Sequence, residues 1–202
     1  MTVSAHDVKI TVDEQVAVFE VTLELSNRGR RDAEADLVMP LPAQAAVTDL
    51  GLWIDGRRLE ARLLDADEAL QAYTDIVRQR LDPALLEYAG EGALRARVFP
   101  VPADGSVQVA LRYAQVLPRE GDLIRLDYAF QTSLVADEDL QRSFAAALRS
   151  SEGIGVVYSP THDLDIDRDT EQTLVTVRGA SIATVPGVLL YYGLQEEDVA
   201  AS

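Results

Sequence analysis

The chain has 202 residues, 48% of them hydrophobic, enough to bury roughly 70% of its unfolded surface around one sizeable core or two small ones. Thirty-four acids against eighteen bases give a net charge of −16, which repels phosphate backbones and anionic lipid surfaces and argues against nucleic-acid binding and polybasic membrane attachment. The absence of cysteine excludes a disulfide framework, a thiolate metal site and a thiol nucleophile.

Lys9 is the single lysine, and aspartate is plentiful; a high-GC codon bias and adaptation to high salt both produce such a surface. The first residues, Met1 to Asp7, carry neither a basic nor an apolar leader region, so no signal peptide is expected there. The longest uncharged run, Gly179 to Gln195, is broken by Pro186, Gly187 and Gly193 and falls short of the ~20 apolar residues of a spanning helix.

In chain order, apolar residues alternate at Val8, Ile10 and Val12, then at Val16 and Val18, and, after a one-residue change of phase, at Val21, Leu23 and Leu25. Asp13, Glu14 and Gln15 between them predict a hairpin with one buried face. Asn27 to Asp32 reads as the next turn, followed by a strand from Ala35 into Pro40 and Pro42. Val47 to Ile54 and Leu59 to Leu64 bracket Asp55-Gly56, a strong hairpin signal because both residues tolerate positive φ.

A helix is expected from about Asp65 to Leu81. Asp65 and Glu68 form a capping box, Ala69, Leu70, Tyr73, Ile76 and Val77 make one apolar face, and Pro83 ends it. Strands are expected at Leu94 to Val98, Val107 to Tyr113 and Leu123 to Phe130. A second helix is expected over Asp137 to Ser150, where Leu140, Phe144 and Leu148 recur every fourth residue, with Asp137 and Glu138 at the N-terminal end and Arg149 at the C-terminal end of the dipole. Strand patterns return at Gly155 to Tyr158, Leu164 to Ile166, Leu174 to Val177 and Val188 to Tyr192. Many short strands without a βαβ rhythm predict a mainly-β, antiparallel β-sandwich with one or two helices. Residues 1–130 form its first part, and 131–202 a β-rich continuation packed with it.

The order of Pro40-Leu41-Pro42, Leu52-Trp53-Ile54-Asp55-Gly56, Ala69 to Tyr73, Ala84-Leu85-Leu86-Glu87 and the strand at Tyr113 resembles the VIT domain, the vault protein and inter-alpha-trypsin module that usually precedes a von Willebrand factor type A domain. Tyr158-Ser159-Pro160-Thr161-His162 and Val188 to Leu194 are similar to segments that follow the VIT core and lead into the type A domain. The resemblance implies a non-enzymatic interaction and positioning module. Its partner would be a type A-like domain in cis or in trans, and the resemblance is consistent with the cell envelope or extracellular space, while the expected lack of a leader or spanning segment makes the cytoplasm the default compartment. The metal-ion-dependent adhesion motif Asp-x-Ser-x-Ser of type A domains has no counterpart in this chain: Asp104-Gly105-Ser106-Val107-Gln108 lacks its final serine.

The remaining candidates read as structural. Asp163, Asp165, Asp167, Asp169 and Glu171 alternate with Leu164 and Ile166, as on a strand with an acidic outer face, and Arg168 interrupts any Ca²⁺ cage; a Ca²⁺-binding adhesive module is the alternative function. His6 and His162 are the only histidines, and a hydrolase would have to pair one with Ser159 or Ser133, while His162 reads as a turn residue bonded to backbone. Trp53, Tyr73, Tyr88, Phe99 and Tyr113 read as core. Arg95 and Arg97 share one strand face and Arg57-Arg58 a hairpin tip, where they balance the acidic surface. Lys9 and Asn27, each the sole residue of its type, would form an isopeptide bond only if neighbouring strands placed them together. No catalytic, cofactor-binding or metal residue is assigned.

Overall fold

The computed structural model describes residues 1–54, 57–59, 61–63, 92–169, 172–177, 182 and 186–195. The expected helix over 65–81, with Tyr73, and the residues Tyr88 and Glu171 lie outside them. The architecture is a mainly-β sandwich of open sheets. The large sheet has eight strands in the order β13 (Leu164–Arg168), β14 (Thr173–Val177), β11 (Val135–Arg149), β1 (Thr2–Asp13), β2 (Val16–Asn27), β8 (Gly105–Val116), β4 (Ala46–Ile54) and β5 (Arg57–Leu59). A four-stranded sheet runs β12 (Ile154–Tyr158), β15 (Gly187–Leu194), β10 (Leu123–Ala129), β9 (Arg119–Glu120), and a three-stranded sheet runs β3 (Ala33–Pro40), β7 (Ala93–Val101), β6 (Ala61–Leu63).

The expected first hairpin forms, with Asp13 opposite Val16, and Glu14 adopts φ 56° in the turn. That conformation is uncommon for a side-chain-bearing residue and is held from three directions. The Glu14 carboxylate accepts from Ser150 Oγ (2.7 Å), Ser151 N (2.7 Å) and Ser151 Oγ (2.8 Å), its N–H donates to Arg149 O, and its carbonyl accepts from the Tyr192 hydroxyl (2.7 Å). These hydrogen bonds, the Ser151 N–H first, hold the Glu14 carboxyl below its ordinary pKa. Along β2 no change of phase occurs. Ala17, Phe19, Val21, Leu23 and Leu25 all face inward, while Val16 and Val18 face outward, with Val16 49% exposed. The β-branched valines suit a strand on either face, so their identity did not report burial.

The expected second helix is a strand. Residues Val135–Arg149 form β11, paired in parallel with β1, Val8 opposite Phe144 and Val12 opposite Leu148. A spacing of four is common to both periods, two steps of a strand as well as one helical turn, so Leu140, Phe144 and Leu148 fit either. Ala146, fully buried between Phe144 and Leu148, decides for period two.

One core lies between the sheets. Phe19 and Tyr113 stack at 4.6 Å in its centre, with Tyr128 reaching in from β10. Tyr113 is a core residue as expected, Trp53 is half-buried, and Phe99 is 59% exposed on the outer face of β7, beside Arg97, so the expectation of a core Phe99 is corrected. β15 is an interior strand, flanked by β10 and β12, with Val188, Leu190 and Tyr192 buried. β1 with β11 and β10 with β15 pair strands from either side of residue 130.

Edges are closed by single side chains. Arg168, on the edge strand β13, donates to Ile154 O (2.6 Å) and Gly155 O (2.7 Å) of β12, the edge of the facing sheet. The arginine in the middle of the acidic run thus bridges two sheet edges. Arg168→Ala is expected to lower the melting temperature by about 2–4 °C, the effect of about 1 kcal/mol, and to promote concentration-dependent association through the freed β12 carbonyls. Thermal melts and light scattering across a dilution series check both; an unchanged melt with a monomeric variant would remove the bridge from the account.

Candidate functional site

The outer face of the four-stranded sheet carries exposed apolar and aromatic groups. Register places Tyr158 opposite Tyr191, Arg125 opposite Tyr191, and Leu123 opposite Gly193. The two tyrosine rings stack at 5.4 Å and 17°. Val156 is 54% and Tyr158 42% exposed, with Leu123, Leu189 and Tyr191 half-buried around them. Gly193 keeps this face low, since a Cβ there would meet Val156 at 3.3 Å and Leu123 at 3.5 Å. Arg125 borders the patch, held by Asp127 (2.8 Å) and Glu120 (3.3 Å), and the Tyr191 hydroxyl donates to Glu120 at 3.2 Å. An aromatic pair rimmed by ion pairs on a flat sheet face has the composition of a protein-docking surface.

The candidate hydrolase residues are placed differently. Ser133 is buried; its Oγ donates to Asp36 O and accepts from Val38 N. Ser159 and His162 do come together through Thr161, with Ser159 Oγ 3.1 Å from Thr161 Oγ1 and the latter 2.7 Å from His162 Nδ1. Yet Ser159 Oγ donates its proton to Leu189 O at 2.6 Å and accepts from the backbone N–H groups of Thr161 and His162. A hydroxyl with its proton on a carbonyl and its lone pairs on amides is the reverse of an activated nucleophile. The His162 ring is bonded to a hydroxyl rather than to backbone, and its buried Nε2 has no partner among the described residues. Burial pulls its pKa down.

His6 lies in the core. Its Nε2 and the Tyr128 hydroxyl share a 2.7 Å hydrogen bond, Phe130 meets the ring edge-on at 4.9 Å, and Arg142 stands over the Phe130 ring at 5.1 Å. Burial, with a smaller contribution from Arg142, pulls the His6 pKa down to about 3.

In β13 the expected acidic strand forms. Ile166 pairs with Val175 of β14 but is 37% exposed, so only Leu164 is half-buried as the alternation predicts, and Asp163, Asp165, Asp167 and Asp169 are exposed. Among the described residues no group of three or more His, Asp or Glu side chains is placed to hold a metal ion, and no helix is long and apolar enough to cross a membrane. Arg95, on the outer face of β7 with Arg97, is a bidentate partner of Asp36 and holds that carboxyl below its ordinary pKa. Lys9 and Asn27 are not neighbours. Lys9 is exposed opposite Glu20, seven positions and about 23 Å along β2 from Asn27. The Asn27 amide instead organises a turn, donating to Arg31 O, Val101 O and Pro102 O and accepting from Gly29 N.

The sequence pattern of the VIT family, the vault protein inter-alpha-trypsin domain, matches residues 3–113. The chain belongs to the VIT family. Von Willebrand factor A domain-containing protein 5A of mouse is 30% identical over 118 residues, covering 57% of this VIT chain and 15% of the relative. The human protein of the same name is 27% identical over 216 positions, covering 92% of this chain and 27% of the relative. The chain therefore spans only about a quarter or less of the relatives it matches. Among solved structures, it is similar to a nutrient-binding protein from Legionella pneumophila (TM-score 0.52, 9% identity, 94% of this chain and 66% of that one) and to a two-domain M1 zinc metallopeptidase (TM-score 0.50, 14% identity, 95% and 42%). At such identities the likeness is one of fold. The matched VIT span ends in β8, and β10 and β15 beyond it complete the core with Tyr128, Leu190 and Tyr192.

Proposed function

We propose that this VIT chain is a non-enzymatic interaction and positioning module that holds a type A-like protein domain, in cis or in trans, against the outer face of its four-stranded sheet. The observation that carries the reading is the stacked Tyr158–Tyr191 pair with Val156 exposed beside it and a rim of ion pairs at Arg125. Family membership and relatives named for a type A domain support the choice of partner. The mechanism is burial of apolar area on a rigid platform, on the scale of roughly 600 to 1,500 Å² for contacts between domains. The test is titration of the purified chain with a purified type A domain from the source organism. Saturable binding is expected, weakened about tenfold or more by Val156→Glu with Tyr158→Glu, which sit on an edge strand and should leave the chain folded by circular dichroism. Absence of binding, or equal binding by the double variant, would sink the proposal.

A further inference from the structure

A second recessed surface lies on the outer face of the large sheet. Register aligns Asp7, Thr22, Ala110 and Gly51 across β1, β2, β8 and β4, and beside that row Ala5, Glu24, Gln108 and Trp53. The first row is low and ends in a glycine for a physical reason. A Cβ on Gly51 would lie 1.7 Å from Cη2 of Trp53, so the indole lies flat across Gly51, which no larger residue would permit. Trp53 walls a pocket of 380 Å³ whose lining includes Asp7, Glu24, Thr22, Ser106 and Gln108.

The charges on this face are unevenly matched. Glu20 pairs with Arg112 (3.4 Å) and Asp49 with Arg58 (3.2 Å), and Lys9 stands in the row of Glu20. Among the described residues Asp7 and Glu24 make no ion pair; Asp7 Oδ1 accepts from Ser143 Oγ at 2.6 Å. Two carboxylates that make no ion pair among the described residues, those of Asp7 and Glu24, thus line one pocket. The indole already receives one guanidinium, that of Arg58 at 5.9 Å from its ring.

We infer that this pocket receives a cationic side chain, arginine above all, presented by a partner protein. A guanidinium is planar, carries five donors and tolerates partial desolvation, which suits two carboxylates on adjacent strands beside an indole. The net charge of −16 steers such a partner toward the chain. A sugar would stack on an open aromatic face, and here one face of the indole is closed against Gly51 while Arg58 stands over the ring. This surface is on the opposite side of the sandwich from Tyr158 and Tyr191, and the inference does not rest on docking there.

Trp53 is the only tryptophan of the chain, so its fluorescence reports the pocket alone. The probe is acetyl-Gly-Arg-Gly-amide, with the glutamine analogue and maltose titrated in parallel. A saturable change with the arginine peptide is expected, weakened roughly threefold on raising salt from low to physiological strength and about tenfold in Asp7→Asn with Glu24→Gln. Glu20→Gln, whose partner Arg112 lies away from the pocket, should bind as the wild type does, and circular dichroism should show all variants folded. No saturable response, an equal response to the glutamine peptide, or undiminished binding by the Asp7/Glu24 variant would overturn the inference, as would a response to maltose alone.

Discussion

Stability is expected to fall as the pH is lowered from about 6.5, well above the range in which carboxylates titrate. His6 is buried among Tyr128, Phe130 and Arg142, and its pKa is pulled from 6.5 to about 3, so the native state leaves it neutral while the unfolded chain protonates it. Between those two pH values the unfolded state binds one more proton than the native state, and stability drops by about 1.4 kcal/mol per pH unit. The direction is unambiguous: the contribution is fully present above pH 6.5 and is lost progressively toward pH 3. Going from pH 7 to pH 5 should thus cost about 2 kcal/mol, a fall in melting temperature of about 4–8 °C for a chain of this size. His162, also shifted down, adds to the slope in the same direction. Glu14, Asp36 and Asp137, all held below their ordinary values, add to it only at lower pH, once carboxylates protonate in the unfolded chain. His6→Gln isolates the effect, because an amide can still accept from the Tyr128 hydroxyl but does not titrate. Relative to the variant, wild-type stability in urea should fall with a slope of one proton as the pH goes from 6.5 to 4.5. Parallel curves would mean that His6 is protonated within the fold.

The strands were legible where the sequence alternates, and the reason is geometric. β1, β8 and β10 put every second residue into one core, so Val8, Val109 and Leu126 announce their own burial. The sequence was ambiguous where its period was shared by two structures. Leu140, Phe144 and Leu148 fit a helix and a strand equally, and it is pairing with β1, a contact across more than a hundred residues, that buries Ala146 between them and selects the strand. Phe99 misled because hydrophobicity was read without register; Val98 and Val101 face the core, and Phe99 points away. The site residues were less visible still. Trp53 was read as core because nothing in a linear sequence shows that Gly51, two residues back on the same face, lets the indole lie flat on the sheet. Arg168 was noticed only as an obstacle to a Ca²⁺ cage, although a lone cation in an acidic edge strand was a signal of something anionic or carbonyl-lined across the gap.

The same logic of edge closure gives Ser133 a large expected effect on stability. Among the described residues β3 is an edge of the three-stranded sheet, paired with β7 on one side, and no described strand pairs with its other side. Ser133 supplies partners there. Its N–H donates to Val38 O (2.7 Å), its Oγ accepts from Val38 N (2.8 Å), and its hydroxyl donates to Asp36 O (2.9 Å), so one residue replaces a stretch of neighbouring strand. Val38 is fully buried and Ser133 is 7% exposed, which keeps water from substituting for the hydroxyl. Ser133→Ala strips a donor and an acceptor at once, and leaves the buried Val38 N–H and the part-buried Asp36 C=O without the hydroxyl. At about 1–3 kcal/mol for each orphaned group, and less for the carbonyl, the expected loss is about 3 kcal/mol, a fall in melting temperature of about 6–12 °C. Ser133→Thr retains the hydroxyl and should recover most of that loss, whereas Ser133→Val, of similar shape to threonine, should not. The three melts separate hydrogen bonding from packing: if alanine and valine melt within a degree or two of wild type, β3 finds its partners elsewhere. A hydroxyl already committed in this way is a structural element of the sandwich, and its removal should be read first in unfolding rather than in any assay of turnover.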